Sequence, residues 1–510
     1  MRQRDLKGKI DGRGHLVCYR HSFMSKLAGV MPLSPKLGAA EAAANLADIA
    51  PRYTPQDAIL QASRCLFCFD APCIAACPTG IDVPSFIGKI MSGNLAGAAR
   101  TILRANILGA SCARVCPTEV LCEGACVVLV REGDPVKIGR LQRYATDHVF
   151  EKKIPLFHAP AKKSGKRVAI IGGGPAGLSC AAELAQLGHH AVIFEKQPLA
   201  GGLNTYGIAY YKMKPEVSLE EVEMIRRLGV EIRCGVEVGK DVSAAQLERE
   251  FDAIFIGLGL GAGARMNIPG EDLPEVVEAL DFIRQIHTRP LHEVPVGNRV
   301  AVIGGGNTAI DAVTQAKRLG AEKVVLIYRR TETEMPAYQF EQELAKADGV
   351  EFLFQAAPLE VLSDATGDVT GLKLARTKSV DGKLQIVHGT EFVEPFDMVI
   401  TAIGEQKQAA LLKKLFPALE LDPRGVVKRR GESGQTGLPH VFTGGDCGNG
   451  GREVVNAVAE GKKAARGIHA FFGGEKTSGP IQPSRYGVKG ATNTAPARTE
   501  SSAARASGPT

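Results

Sequence analysis

The stretch RVAIIGGGPAGLSCAAELAQLGHHAVIFEK (167–196) decides the fold. A short apolar run leads into three glycines, a helix-forming segment follows, and a second apolar run closes on an acid. That order is a dinucleotide-binding βαβ unit. Gly172 permits the tight turn, Gly174 lets the backbone approach a pyrophosphate, and Gly177 lets helix and strand pack closely. Pro175 and Ala176 open the helix, whose N-terminal N–H groups favour an anion. Glu195, followed by Lys196, ends the second strand, where a carboxylate can accept from a ribose hydroxyl. A lone GxGxxG is a weak signal. With both strands, the helix and the terminal acid in place, it is a specific one.

The pattern recurs as RVAVIGGGNTAIDAVTQAKRLGAEKVVLIYRR (299–330). Gly304, Gly305 and Gly306 form the turn, Asn307 and Thr308 open the helix, and Ala309 takes the third glycine position. This unit ends in Arg329 and Arg330 rather than an acid. Arginine there suits a 2′-phosphate, although strand ends also carry solvated charges. The reading is therefore NAD(P)H, leaning to NADPH.

Two nucleotide units in one chain point to a flavin reductase, with FAD in the first and the nicotinamide nucleotide in the second. HVFTGGDCGNGGREVVNAVAEGKKAA (440–465) fits this reading. Gly445 and Asp446 follow a strand and precede a helix, placing a carboxylate near a flavin hydroxyl and a helix N-terminus near its phosphates. GGLNTYGI (201–208), with Gly202 and Leu203, is expected to line the flavin. DMVITAIGE (397–405), with Ala402 and Gly404, returns the chain from the nicotinamide unit. The FAD domain is thus expected at 165–263 and 406–472, with the NAD(P) domain (264–405) inserted. No Cys-x-x-x-x-Cys pair accompanies the flavin segments, which argues against a disulfide reductase.

Upstream, eight of the 12 cysteines lie between Cys65 and Cys126. Such clustering inside a long chain indicates metal ligation in a reducing compartment, and a cytoplasmic protein is expected. Zinc is one reading of close cysteines. Beside two nucleotide units, iron–sulfur electron transfer is the better one. Spacing alone allows a sequential scheme, with Cys65–Cys77 on one cluster and Cys112–Cys126 on a second. It equally allows a crossed one, because a fourth Cys followed by Pro, here Cys77–Pro78, serves the other cluster in ferredoxin runs. Thr54 and Pro55 read as the cap and first turn of a helix ahead of the cysteines, and residues 51–150 as an all-α iron–sulfur domain.

The remainder sets limits. A net charge of +7 spread over 510 residues gives no basic patch, and aromatic content of 5% with no Trp offers no base-stacking platform, so no nucleic-acid partner is expected. No apolar run is long enough to span a membrane. Residues 1–50 read as a poorly patterned leader, with Met24 and Met31 as alternative starts. The Ser/Thr/Ala/Gly/Pro-rich tail (475–510) is expected to be disordered.

From about residue 50 to 470 the chain resembles the glutamate-synthase small-subunit-like reductases. Within them it is most similar to the flavin-reductase half of dihydropyrimidine dehydrogenase, a separate PreT subunit in bacteria. That resemblance implies an α/β chain with an N-terminal helical iron–sulfur domain and two Rossmann-like domains. It implies FAD, two [4Fe–4S] clusters and NAD(P)H as cofactors. It assigns Cys65, Cys68, Cys73 and Cys126 to one cluster, and Cys77, Cys116, Cys122 and Gln142 to the other, leaving Cys112 a spectator. Gln142, in VKIGRLQRYATDH (136–148), is the discriminating residue: the glutamate synthase small subunits and the electron-bifurcating NAD(P)H:ferredoxin-type reductases tend to carry an acid there. The implied partner is a PreA-like FMN and iron–sulfur catalytic subunit in a heteromer, a heterotetramer being one form. Electrons would pass to that partner, which interconverts uracil or thymine and their 5,6-dihydro forms. No side chain of this chain is expected to act as a catalytic acid or nucleophile. A redox sensor that keeps the cofactors without a substrate is the non-enzymatic alternative.

Overall fold

The structure is a computed structural model that describes residues 33–475. The alternative starts Met24 and Met31 and the tail beyond residue 475 lie outside the described residues.

Helices build the first part. Thr54 caps helix Pro55–Ser63 through a reciprocal box with Asp57, so the start expected from Thr54–Pro55 is the start observed. Helices Val83–Met91, Leu95–Ala105, Gly109–Val115 and Ile138–Glu151 follow. Phe86, Ile87, Ile90, Ile102, Leu103 and Leu141 fill their common core. Each such side chain contributes about 1.5–3 kcal/mol by leaving water, and together they hold the cysteine loops on a rigid frame.

The first α/β layer starts with β1 (Arg167–Ile171), β2 (His190–Glu195), β3 (Glu231–Cys234) and β4 (Ala253–Ile256). The chain then leaves this sheet and builds a second layer. It comprises β5 (Val276–Glu278), β6 (Arg299–Ile303), β7 (Lys323–Tyr328), β8 (Glu351–Phe354), an antiparallel group β9 (Ala356–Ser363), β10 (Val369–Val380), β11 (Lys383–Ile386) and β12 (Phe392–Glu394), and then β13 (Met398–Thr401). Finally β14 (Val441–Thr443) returns to the first sheet. The orders β14-β4-β1-β2-β3 and β5-β13-β6-β7-β8 are both all-parallel. In each, the strand order reverses beside the strand that feeds the glycine turn, β1 or β6. A crevice opens there at the carboxyl ends of the strands. The insertion of one Rossmann-like layer in the other follows from β14 pairing with β4.

The leader read as unpatterned contains structure within its described part. Residues Ala39–Asn45 are helical, Leu33 and Leu46 are buried in the core of the second α/β layer, and Asp48 pairs with Arg143 of the helical part at 2.5 Å. The segment has no periodicity because its two apolar anchors dock into a core that other segments build. No helix among the described residues is long and apolar enough to cross a membrane.

Candidate redox site

At the first glycine turn each glycine has a distinct reason. Gly172 has φ +103°, and a Cβ there would sit 2.4 Å from the Gly257 carbonyl oxygen. A Cβ on Gly177 would lie 2.0 Å from the Gly172 carbonyl oxygen. Gly174 is open: its Cβ would meet nothing closer than Gly202 Cα at 3.8 Å, which leaves room for a pyrophosphate. Helix Pro175–Gln186 begins beside that space. Gly202, with φ +57°, closes the cradle from the other side, since a Cβ there would press on Gly174 Cα at 2.7 Å. Leu203 next to it is exposed, as is Lys196.

Glu195 is buried, and its carboxylate accepts the Gly173 N–H at 2.7 Å and the Gln197 N–H at 2.7 Å. Burial raises its pKa, and the backbone donors oppose the shift. It therefore holds the turn from the end of the second strand, the place expected for a ribose-binding acid. Gly445 has φ +72° and donates its N–H to Glu460 at 2.8 Å. Asp446 begins the short helix behind it and accepts the Arg452 N–H at 3.2 Å. Burial pushes its carboxyl up.

Two residues here were not singled out in the sequence. Gly461 lies inside helix Val454–Phe471, and its missing Cβ would overlap the Ala176 carbonyl oxygen at 2.1 Å. It is what lets that helix lie against the phosphate helix. Glu460 holds Gly445, Asn449 at 3.0 Å and Arg429 at 3.0 Å together. The signal was present: glycine inside a helical run costs about 1 kcal/mol and usually marks close packing.

The second turn opens on a cavity of about 570 Å³. Gly304, Gly305, Gly306 and Thr308 line one side, Arg329 and Arg330 another, and Ala402 and Gly404 a third. A Cβ on Gly304 would sit 2.2 Å from the Ala402 carbonyl oxygen, whereas Gly306 faces open space. Asn307, expected at the nucleotide, does not line the cavity; its Oδ1 accepts the Tyr338 N–H at 3.0 Å. Arg330 pairs with Glu334 at 3.0 Å, and Arg329 is exposed at the rim. The cradle and cavity fit FAD and a nicotinamide dinucleotide respectively.

The cysteines fall into two groups. Cys65, Cys68, Cys73 and Cys126 line one cavity whose other walls include Val83, Ile87, Val128 and Ile138. Burial, and then the neighbouring thiols of Cys65, Cys126 and Cys68, push the Cys73 thiol up to about 12. Four crowded thiols in an apolar pocket would repel one another as bare thiolates and are stabilised by bound cations. Cys116 sits with Cys112, Cys122 and Cys77. Its pKa is raised first by the hydrogen bond with Cys112, then by burial and by those neighbouring charges. Cys112 thus stands beside the second group. Gln142 lies on the neighbouring helix Ile138–Glu151, and its Nε2 donates at 2.7 Å to the carbonyl of Gly109, which opens the helix carrying Cys112. Among the described residues no three His, Cys, Asp or Glu side chains converge as on a single ion. A four-iron cube needs no such convergence, because each thiolate binds a different corner. The residues fit iron–sulfur clusters.

Residues 42–154 match the family profile described as dihydropyrimidine dehydrogenase domain II, 4Fe-4S cluster, and residues 166–461 match the pyridine nucleotide-disulphide oxidoreductase profile. The glutamate synthase [NADPH] small chain of Halomonas elongata is 38% identical over 443 residues, covering 84% of this chain and 93% of that one. The chain belongs to this family of iron–sulfur pyridine nucleotide oxidoreductases. Another of its members, the NAD-dependent dihydropyrimidine dehydrogenase subunit PreT of Escherichia coli O157:H7, is 35% identical over 431 residues, covering 84% of this chain and 98% of that one. Mycobacterium tuberculosis FprA, solved with NADPH, shares the fold: TM-score 0.51 at 21% identity, over 60% of this chain and 85% of its own. As a family member the chain is an oxidoreductase subunit with FAD, NAD(P)H and 4Fe–4S chemistry.

Proposed function

We propose that this chain is the electron-input subunit of a dihydropyrimidine dehydrogenase of the NAD(P)-dependent type (EC 1.3.1.1). Its bound cofactors would take hydride from NAD(P)H and pass electrons singly through two [4Fe–4S] clusters. The chain's own residues bind and orient. Gly172–Gly177, Glu195 and Asp446 hold the flavin, while Gly304–Thr308, Arg329 and Arg330 hold the nucleotide. Cys65, Cys68, Cys73 and Cys126 hold one cluster, and Cys77, Cys116, Cys122 and Gln142 the other. The receiving partner is an FMN and iron–sulfur subunit that interconverts uracil or thymine and the dihydropyrimidines.

The observation that carries this reading is Gln142. It is buried, and its amide nitrogen is held by the carbonyl of Gly109, which opens the helix carrying Cys112 and leading to Cys116; this leaves the amide oxygen as the end for iron. A neutral ligand in place of a thiolate makes the cluster less negative and raises its potential. The similarity to glutamate synthase small chains, at 38% identity, supports a second reading, with a glutaminase-type partner.

Anaerobic affinity purification from the native host separates the two. Co-purification of an FMN-containing chain, with NAD(P)H oxidation dependent on uracil or thymine, is expected. A large glutaminase-type partner, or an intact complex with no pyrimidine response, would overturn the proposal.

A further inference from the structure

A series of contacts runs from the nucleotide cavity to the flavin half of the molecule. Pro336 lines the cavity. The Ala337 N–H donates to the Gly305 carbonyl at 3.1 Å, and the Tyr338 N–H donates to Asn307 Oδ1 at 3.0 Å. This strip is therefore fastened to the nucleotide's glycine turn. The Tyr338 hydroxyl then crosses to the other α/β layer and donates to Glu453 Oε1 at 2.7 Å. Glu453 precedes helix Val454–Phe471 and does not cap it through its side chain. That helix lies on the phosphate helix through Gly461. Phe340 stacks on the Tyr338 ring with centroids 5.8 Å apart. Burial and the Glu453 bond hold the phenol well above its ordinary pKa, so it remains a donor.

The chain crosses from one layer to the other near residues 263 and 405, and the segment between β2 and β3 also dips into the second core, where Ala209 and Tyr211 are buried. The crossings near 263 and 405 run side by side, Gly263 bridging Glu405 and the Ala264 N–H donating to the Gly404 carbonyl at 2.7 Å. A two-stranded ribbon resists stretching but bends and twists readily. Ties away from it set the angle between the layers. One tie is a buried anchor, Lys212 on Asp311 and Glu341, each at 2.6 Å. Tyr338–Glu453 is the tie attached to the nucleotide turn itself.

We propose that Tyr338 is a positioning residue: its bond to Glu453 sets the nucleotide's glycine turn at the working distance from the flavin half. Hydride transfer is steeply sensitive to this distance, and a misplacement of about 1 Å costs on the order of a hundredfold.

The test uses the holoprotein carrying its FAD and clusters, without any partner or pyrimidine, so it stands or fails separately from the proposed physiological role. In Tyr338→Phe, the Kd of NADP+ or NAD+ stays near wild type. The limiting rate of flavin reduction by NAD(P)H in anaerobic stopped flow falls about tenfold, the worth of one hydrogen bond to a charged acceptor. The flavin absorption change that oxidised nucleotide induces shrinks with it. Glu453→Ala reproduces both effects, and Glu453→Gln, which keeps an oxygen acceptor, restores most of the rate. Should Tyr338→Phe fail to retain FAD, the Glu453 pair decides. Wild-type rate and wild-type flavin perturbation in Tyr338→Phe or in Glu453→Ala would overturn the proposal.

Discussion

Glu195 Oε2 accepts the Gly173 N–H at 2.7 Å, so the acid ending the second strand grips the middle of the glycine turn that follows the first. Its other oxygen accepts the Gln197 N–H. Truncation leaves both donors unpaired in a buried place. Hydrogen bonds to a charged group are worth about 1.5–3 kcal/mol, so Glu195→Ala should weaken FAD retention roughly 10- to 100-fold. Flavin content after gel filtration and the temperature of flavin fluorescence release measure this.

Arg329 is exposed at the rim of the nucleotide cavity, whereas Arg330 is engaged by Glu334. If Arg329 reads a 2′-phosphate, Arg329→Ala lowers kcat/KM for NADPH by about tenfold, one lost charge-assisted contact, and leaves NADH nearly unchanged. Equal losses for both nucleotides would return Arg329 to the status of a solvated strand-end charge.

Cys112 borders the second cysteine group, and Gln142 is hydrogen-bonded to Gly109 at the start of the same helix. Cys112→Ser is expected to keep the full iron content and both EPR signals, while Cys116→Ser loses one cluster. Gln142→Glu should lower the potential of that cluster alone by adding negative charge. Loss of iron in Cys112→Ser would make Cys112 the eighth ligand.

Gly461→Ala forces a methyl group toward the Ala176 carbonyl oxygen. Overpacking of this kind costs about 1–3 kcal/mol. Because the displaced helix faces the phosphate helix, both the melting temperature and the flavin occupancy should fall, the latter visible in the ratio of visible to ultraviolet absorbance.

Glu221 is fully buried and accepts from Ser111 Oγ at 2.5 Å and from the Ala110 N–H at 2.8 Å, joining helix Pro215–Arg227 to the cysteine helix. Burial raises its carboxyl from 4.5 to about 7. The folded state then holds a proton that the unfolded chain has released. Its contribution is complete below pH 4.5 and is lost as pH rises through about 7. Thermal melts across that window should show a fall that Glu221→Gln abolishes.

Much of this was legible in the residues. The two glycine turns, their helices and strand-end residues are local patterns, enforced by steric rules that hold wherever such a run occurs. Thr54 with Asp57 is another such local device. The cysteine positions announced metal chemistry for the same reason, since ligand type and spacing are written along the chain. Other features depend on segments far apart in sequence. Leu33 and Leu46 are anchors only because the second α/β core receives them. Gly461 matters because of Ala176, and Tyr338 because of Glu453. Spacing left the partner of Cys65, Cys68 and Cys73 open and only the resemblance implied Cys126; the helical frame is what physically brings the four to one cavity. Local sterics and short-range hydrogen bonding specify the elements. Which surfaces meet is decided by burial summed over the whole molecule, and that sum exists only once the chain has folded.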